Sequence, residues 1–180
     1  MKFKLIYRGE VKIHPKKRAQ HIHAIRKQLS SQLEKLLEIP PYSKIKDFMT
    51  GKGQKKKDIA RHMQGIDFIP VISPSLHLLA ELDVQLLHPE LLGTPRADID
   101  NRMKTLLDGL RRPQNQHEIP ESAEKGGKFF VLLDDDSLVT KLSVNTSHWL
   151  NATNPEDLLV IITVNIRASK GTIDNLDFII

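Results

Sequence analysis

The chain contains no cysteine, one tryptophan, two tyrosines and six phenylalanines in 180 residues. The missing cysteines exclude a disulfide scaffold, thiol catalysis and Cys-based zinc fingers. Aromatic residues make up 5% of the chain, which argues against stacking of single-stranded bases as the main binding mode. No apolar run approaches the ~20 residues of a membrane span. The opening stretch MKFKLIYRGE reads as a strand, not a signal peptide. The expected setting is the cytoplasm or nucleoid, with no membrane partner. There the sequons Asn145-Thr146-Ser147 and Asn151-Ala152-Thr153 are chance matches.

What is present is an ordinary mixture, 39% apolar and 27% charged. A chain of this length buries roughly 70% of its unfolded surface, enough for a core without disulfides or a structural metal. The net charge of +5 is unevenly placed. Residues 1 to 65 hold 17 of the 27 Lys and Arg but only 5 of the 22 Asp and Glu, a balance of +12, and the remainder carries −7. One part suits a polyanion, the other a cation, and such asymmetry is a hint of nucleic-acid contact.

Lys2 to Tyr7 alternate charged and apolar side chains at first, as a half-buried edge strand does. From about Pro15 to Glu38 the residues Ala19, Ile22, Ile25, Leu29, Leu33, Leu36 and Leu37 recur at helical spacing, leaving Lys16, Lys17, Arg18, Arg26 and Lys27 for the solvent side. Ile39-Pro40-Pro41 stops this helix. Residues 42 to 66, with GKGQKKK at 51 to 57, have too few apolar residues for a core of their own and read as a basic loop with one short helix at 55 to 64. FIPVI opens a hydrophobic region at 68. In 78 to 87, Leu79, Glu81, Asp83 and Gln85 alternate against Ala80, Leu82, Val84 and Leu86 as a strand with one face in the core. Ile99, Met103, Leu106, Leu107 and Leu110 share a helical face that Asp98 or Asp100 caps and Arg111-Arg112-Pro113 ends. FFVLL at 129, LVTKLSVN at 138 and LLVIITVNI at 158 predict three strands in an antiparallel meander. The tail TIDNLDFII reads as an edge strand or a partner contact. No repeat or hinge divides the chain, so residues 1–180 are expected to form a single α+β domain, elaborated at about 8–66 by the basic helix and lysine-rich loop.

The chemistry concentrates in Asp98-Ile99-Asp100-Asn101-Arg102-Met103-Lys104. If the chain is still extended there, Asp98 and Asp100 project to one side, and Lys104 follows Asp100 by one helical turn. Two converging carboxylates repel unless a proton or cation lies between them. A hard divalent ion such as Mg²⁺ suits them, and a nearby lysine places positive charge where a phosphate would sit. The structural alternative is that Asp98 caps the helix, Asp100 favours its positive end and Lys104 pairs with Asp100. Asp134-Asp135-Asp136, after the apolar run FFVLL, form a second acidic cluster. They read either as a turn or as carboxylates awaiting a cation, since three consecutive like charges cost stability.

DIDNRMKTLLDGL at 98 to 110, followed by a strand ending in DDDS at 134 to 137, resembles the RusA-type Holliday-junction resolvases over about residues 78 to 166. The resemblance implies an α+β fold with a mixed, largely antiparallel sheet and packed helices. It also implies a homodimeric, Mg²⁺-dependent endonuclease, with Mn²⁺ as a substitute ion, that nicks four-way DNA junctions. Asp98 and Asp100 match the first two metal-binding carboxylates and Lys104 the essential lysine, while Asp108 of Leu107-Asp108-Gly109-Leu110 matches a structural position. Asp136, with Asp135 beside it, matches the third carboxylate; Asp134 with Asp135 is the other register. The loop from Arg111 to Lys128 is longer than the family pattern, and the basic helix and loop are additions to it.

The implied chemistry is metal-assisted phosphodiester hydrolysis. The DNA backbone is expected to meet Lys16, Lys17, Arg18, Lys52, Lys55, Lys56, Lys57 and Arg102. The alternative from another class is a non-catalytic nucleic-acid-binding protein that keeps the fold. A third reading is an interaction protein whose acidic clusters are only caps and turns. His21 and His23 read as a solvated helix face, GKGQKKK lacks the Gly-Lys-Ser/Thr ending of a P-loop, and Trp149 reads as a core or interface residue.

Overall fold

The computed structural model describes residues 1–13, 15–49, 59–89, 98–154 and 156–178. In chain order the regular elements are β1 (Lys2–Gly9), α1 (Arg18–Leu36), a 3-10 helix at Tyr42–Phe48, β2 (Arg61–Met63), β3 (Ile66–Ile72), β4 (Leu78–His88) and α2 (Ile99–Leu110). They continue with β5 (Lys128–Leu133), a 3-10 turn at Asp136–Leu138, β6 (Val139–His148) and β7 (Leu158–Ala168). The class is α+β with mixed, largely antiparallel sheets. One sheet has the order β1-β7-β4-β6 and the other β2-β3-β5. Among the described residues no helix is long and apolar enough to cross a membrane.

Period-two burial builds the larger sheet. Leu78, Ala80, Leu82, Val84 and Leu86 of β4 are buried beside Leu158, Val160, Ile162, Val164 and Ile166 of β7, and the alternate residues face outward. The expected edge strand is present as β1. Its free edge is closed by α1, since Gln32 Oε1 accepts from the Ile6 amide at 2.9 Å and Gln32 Nε2 donates to the Ile6 carbonyl at 2.7 Å. That bracket blocks the edge as a template for further pairing.

The antiparallel meander is not what the chain forms. β5 pairs in parallel with β3, β6 pairs in parallel with β4, and β7 inserts between β1 and β4. The link at 134 to 138 is a crossing from one sheet to the other, with Leu138 buried at the crossing, so it cannot act as a hairpin turn. Periodicity specifies which face of a strand is buried and says nothing of its neighbour.

Two further expectations change. Within 55 to 64, residues 55 to 58 lie outside the described residues, and 61 to 63 form β2. This strand joins β3 through Gln64 and Gly65, whose φ of 50° and 80° suit a two-residue hairpin turn. Tyr42, Ile45, Phe48, Met49 and Ile59 are all buried in the main core, so this stretch lends apolar side chains to a core it does not own. Among its described residues the tail forms no strand: residues 176 to 178 make a 3-10 turn, and buried Asn175 donates to the Leu76 and Lys170 carbonyls at 2.9 and 2.8 Å. Trp149 is half-buried, with the Arg8 guanidinium 5.1 Å from its ring.

Helix α1 is central to this core, with Ile22, Ile25, Leu29 and Leu33 buried on one stripe, each worth about 1.5–3 kcal/mol by area removed from water. It crosses α2 so closely that a Cβ on Gly109 would stand 2.6 Å from Ile25 Cγ2, which leaves room for glycine alone without a shift.

Candidate active site and nucleic-acid interface

Helix α2 begins at Ile99, so the chain is already helical between the two aspartates. Asp98 is the N-cap. Its Oδ1 accepts from the Asn101 amide at 3.1 Å and its Oδ2 from Asn101 Nδ2 at 2.6 Å. This satisfies one of the four amides that a helix start leaves open. Asp100 points to solvent and meets Lys104 Nζ at 2.7 Å, one turn along. That hydrogen bond, with the Asp100 charge behind it, raises the Lys104 pKa above its ordinary value. The extended approach on which convergence of Asp98 and Asp100 rested is absent; each carboxylate has its own partner.

The three aspartates after β5 take three different roles. Asp134 is buried. Its carboxylate receives Arg112 Nε, its amide donates to the Ile72 carbonyl at 3.0 Å, and its own carbonyl accepts from Gln114 at 3.1 Å. Asp135 caps the 3-10 turn through Ser137 N at 3.0 Å; the Ser137 hydrogen bonds, aided by the fields of Arg111 and Arg112, hold its carboxyl below the usual range. Asp136 is exposed. Asp135 and Asp136 are therefore the accessible pair, and Arg112 already occupies Asp134.

The 3-10 turn carrying Asp136 packs against α2 and β4. Among the described residues, no three His, Asp or Glu side chains stand close enough to share a metal ion. The donor set of carboxylate oxygens suits Mg²⁺ in kind. In arrangement it is divided between the start of α2 and the turn after β5.

Basic residues adjoin α2. Lys12, Lys16, Lys17, Gln20 and His21 line an open cavity of about 590 Å³ at the start of α1. This segment is tied to α2 by Arg102 Nη1 to the Val11 carbonyl at 3.3 Å, by buried Thr105 Oγ1 to the Lys12 carbonyl at 3.1 Å, and by Arg18 Nη2 to Asp108 Oδ2 at 2.5 Å. Arg18 and Arg102, expected on the DNA backbone, are engaged in these internal ties. Lys16 and Lys17 are exposed. Lys52, Lys55, Lys56 and Lys57 lie outside the described residues.

The two histidines are not a solvated face. His21 Nε2 accepts from the Lys12 amide at 3.0 Å, and His23 stacks on Phe129 with ring centroids 5.0 Å apart. Burial, more than the neighbouring cations, lowers the pKa of both.

Sequence reasoning missed a buried ionic cluster. Arg26, placed on the solvent side by its charge, has a side chain 0% exposed. It donates to the Asp108, Arg111 and Glu118 carbonyls at 2.8, 3.0 and 3.2 Å and pairs with Glu118 Oε2 at 3.3 Å. Arg111 bonds Asp108 Oδ1 at 2.6 Å and Glu118 Oε2 at 2.9 Å. The guanidinium thus closes the carbonyl end of α2 while Glu118 neutralises it. Burial brings the Arg26 pKa down to about 10, so it stays charged at neutral pH. The available signal was its place within the apolar stripe, four residues after Ile22 and three before Leu29.

Searches against known protein families and characterised proteins find no match to this chain.

Proposed function

We propose that this protein is a Mg²⁺-dependent endonuclease of the RusA kind, a cytoplasmic, nucleoid-associated homodimer that cuts branched DNA such as a four-way junction. The observation that carries the reading is the juxtaposition at α2. Its first turns hold Asp98, Asp100 and Lys104, and its side facing α1 is tied through Arg102 and Thr105 to a cavity lined by lysines. The DNA backbone would lie along Lys16 and Lys17, giving affinity that falls with salt and carries no sequence information.

Asp98 and Asp100 at the head of α2, with Asp136 and Asp135 of the turn after β5, are the residues that would hold the ion. When bound, Mg²⁺ polarises a phosphate oxygen and makes hydroxide available near neutral pH. Lys104, released from Asp100 or shared with it, offsets charge that grows on the phosphate during attack. Asp98 keeps the first turn of α2 in place through Asn101, which fixes where Asp100 and Lys104 point.

A second reading, a nucleic-acid-binding protein without catalysis, is favoured by one observation. Asp98, Asp100 and Asp135 each already have an internal hydrogen-bond partner. A synthetic four-way junction incubated with clean protein and Mg²⁺ or Mn²⁺ separates the two. Nicks support the nuclease, whereas binding without nicks under either ion leaves only the binding protein.

A further inference from the structure

A smaller cavity, of about 260 Å³, opens at the far end of β5 from the acidic turn, between α1 and the loop that leads into β5. A six-residue strand is about 20 Å long, so this cavity is well separated from Asp135 and Asp136. At that volume it falls below the roughly 300–1,000 Å³ of sites that enclose an organic ligand, but it has room for a phosphate group.

Its lining is cationic. Lys27 comes from α1, Lys125 from the loop and Lys128 from the start of β5. Lys27 meets Glu124 at 3.3 Å with both side chains largely in water, a pair of little net worth. Lys125 and Lys128 are exposed and have no ion pair among the described residues. Between them lie Gly126, at φ +88°, and Gly127; a Cβ on either would meet nothing within 4 Å. The Cβ side of the backbone is open there, while the Gly126 amide donates to the Gly65 carbonyl at 2.7 Å, so a phosphate would meet the lysine side chains rather than that amide.

The wall is also unfinished electrostatically. His23, stacked on Phe129, has a buried Nδ1 with no hydrogen-bond partner. Arg26 and Lys27 place positive charge near the ring, with Glu118 paired to Arg26 and Glu124 to Lys27, and Lys125 and Lys128 line the same cavity without an ion pair among the described residues. An anion in this cavity relieves that imbalance.

Lys27 follows Lys17 by ten residues, about 15 Å along a helix, or roughly four base pairs of duplex at 3.4 Å each. The two cationic clusters are therefore separated along the axis of α1 by a distance that a short duplex spans. We infer that the cavity of Lys27, Lys125 and Lys128 is a second backbone-phosphate site that holds the duplex arm leading to the cleavage site. The inference rests on the nuclease reading for its ligand, double-stranded DNA.

The test is the salt dependence of binding to a linear duplex and to a four-way junction without divalent ion, for the wild type and Lys125→Gln/Lys128→Gln. Both positions are exposed, so the fold is kept. Loss of two phosphate contacts lowers the slope of log K against log salt by about 1.8. A second readout follows the His23 ring by NMR, which titrates at higher pH when a short duplex is bound. An unchanged slope, or an unmoved His23 in a protein that binds the duplex, overturns the site; nicking of the junction by the wild type with Mg²⁺ would then leave the nuclease reading standing. A reduced slope in a protein that never nicks supports the site and removes the nuclease. A wild type that binds no DNA removes both.

Discussion

Lys104 Nζ and Asp100 Oδ2 lie 2.7 Å apart across one turn of α2, with the two side chains 63% and 76% exposed. An exposed pair at this spacing is screened by water and adds little to stability. It does keep a cation beside a carboxylate until something competes for either one. Lys104→Met should leave the urea-unfolding midpoint close to that of the wild type. It should also remove junction cleavage while keeping, or enlarging, the rise in melting temperature that Mg²⁺ produces, because Asp100 is freed for the ion. A variant that cleaves normally would show Lys104 to be a surface partner of Asp100 and nothing more.

The Arg26 cluster yields a stability prediction. Arg26→Met leaves three carbonyls without their donor and Glu118 with Arg111 as its remaining partner. Each buried carbonyl left without its donor costs about 1–3 kcal/mol, measurable as a lowered urea midpoint with an unchanged m-value. Arg26→Lys should recover only part of it, since a point charge cannot reproduce the planar fork that meets three carbonyls from different turns. Full recovery by lysine would mean that charge alone matters there.

Acid sensitivity follows from the histidines. His21 and His23 have pKa values lowered in the fold, so from about pH 6.5 downward the unfolded chain takes up protons that the folded chain resists. Stability is therefore complete above the unfolded value and falls as pH drops toward the folded one. Asp135, also lowered, adds its loss only below about pH 4, where an unfolded aspartate begins to protonate. Melts from pH 7.5 to 5 should show a decline that His21→Gln/His23→Gln flattens. An equal decline in that variant would place the sensitivity elsewhere.

The helices were legible because their apolar residues recur at three and four. Ile22, Ile25, Leu29 and Leu33 mark α1, and Met103, Leu106 and Leu110 mark α2. The alternating β4 was legible for the same kind of reason. Strand pairing was not, because β5, β6 and β7 follow one another in sequence yet belong to different sheets or different partners. Arg26 was misplaced because charge is read as exposure, whereas here three carbonyls and Glu118 replace its water. At the candidate site the positions of Asp98, Asp100 and Lys104 at the head of a helix followed from capping and spacing. What sequence could not supply was that Arg112 takes Asp134 out of the acidic run, leaving Asp135 and Asp136 at the surface.

The most direct test of the central claim is cleavage of a synthetic four-way junction by the wild type and Asp100→Asn in Mg²⁺, with binding measured in parallel without the ion. Paired nicks are expected from the wild type. None are expected from Asp100→Asn, which binds the junction as tightly or slightly more so because a negative charge near phosphate is gone. Equal cleavage by the two proteins, or no nick by either in Mg²⁺ or Mn²⁺, would contradict the nuclease reading.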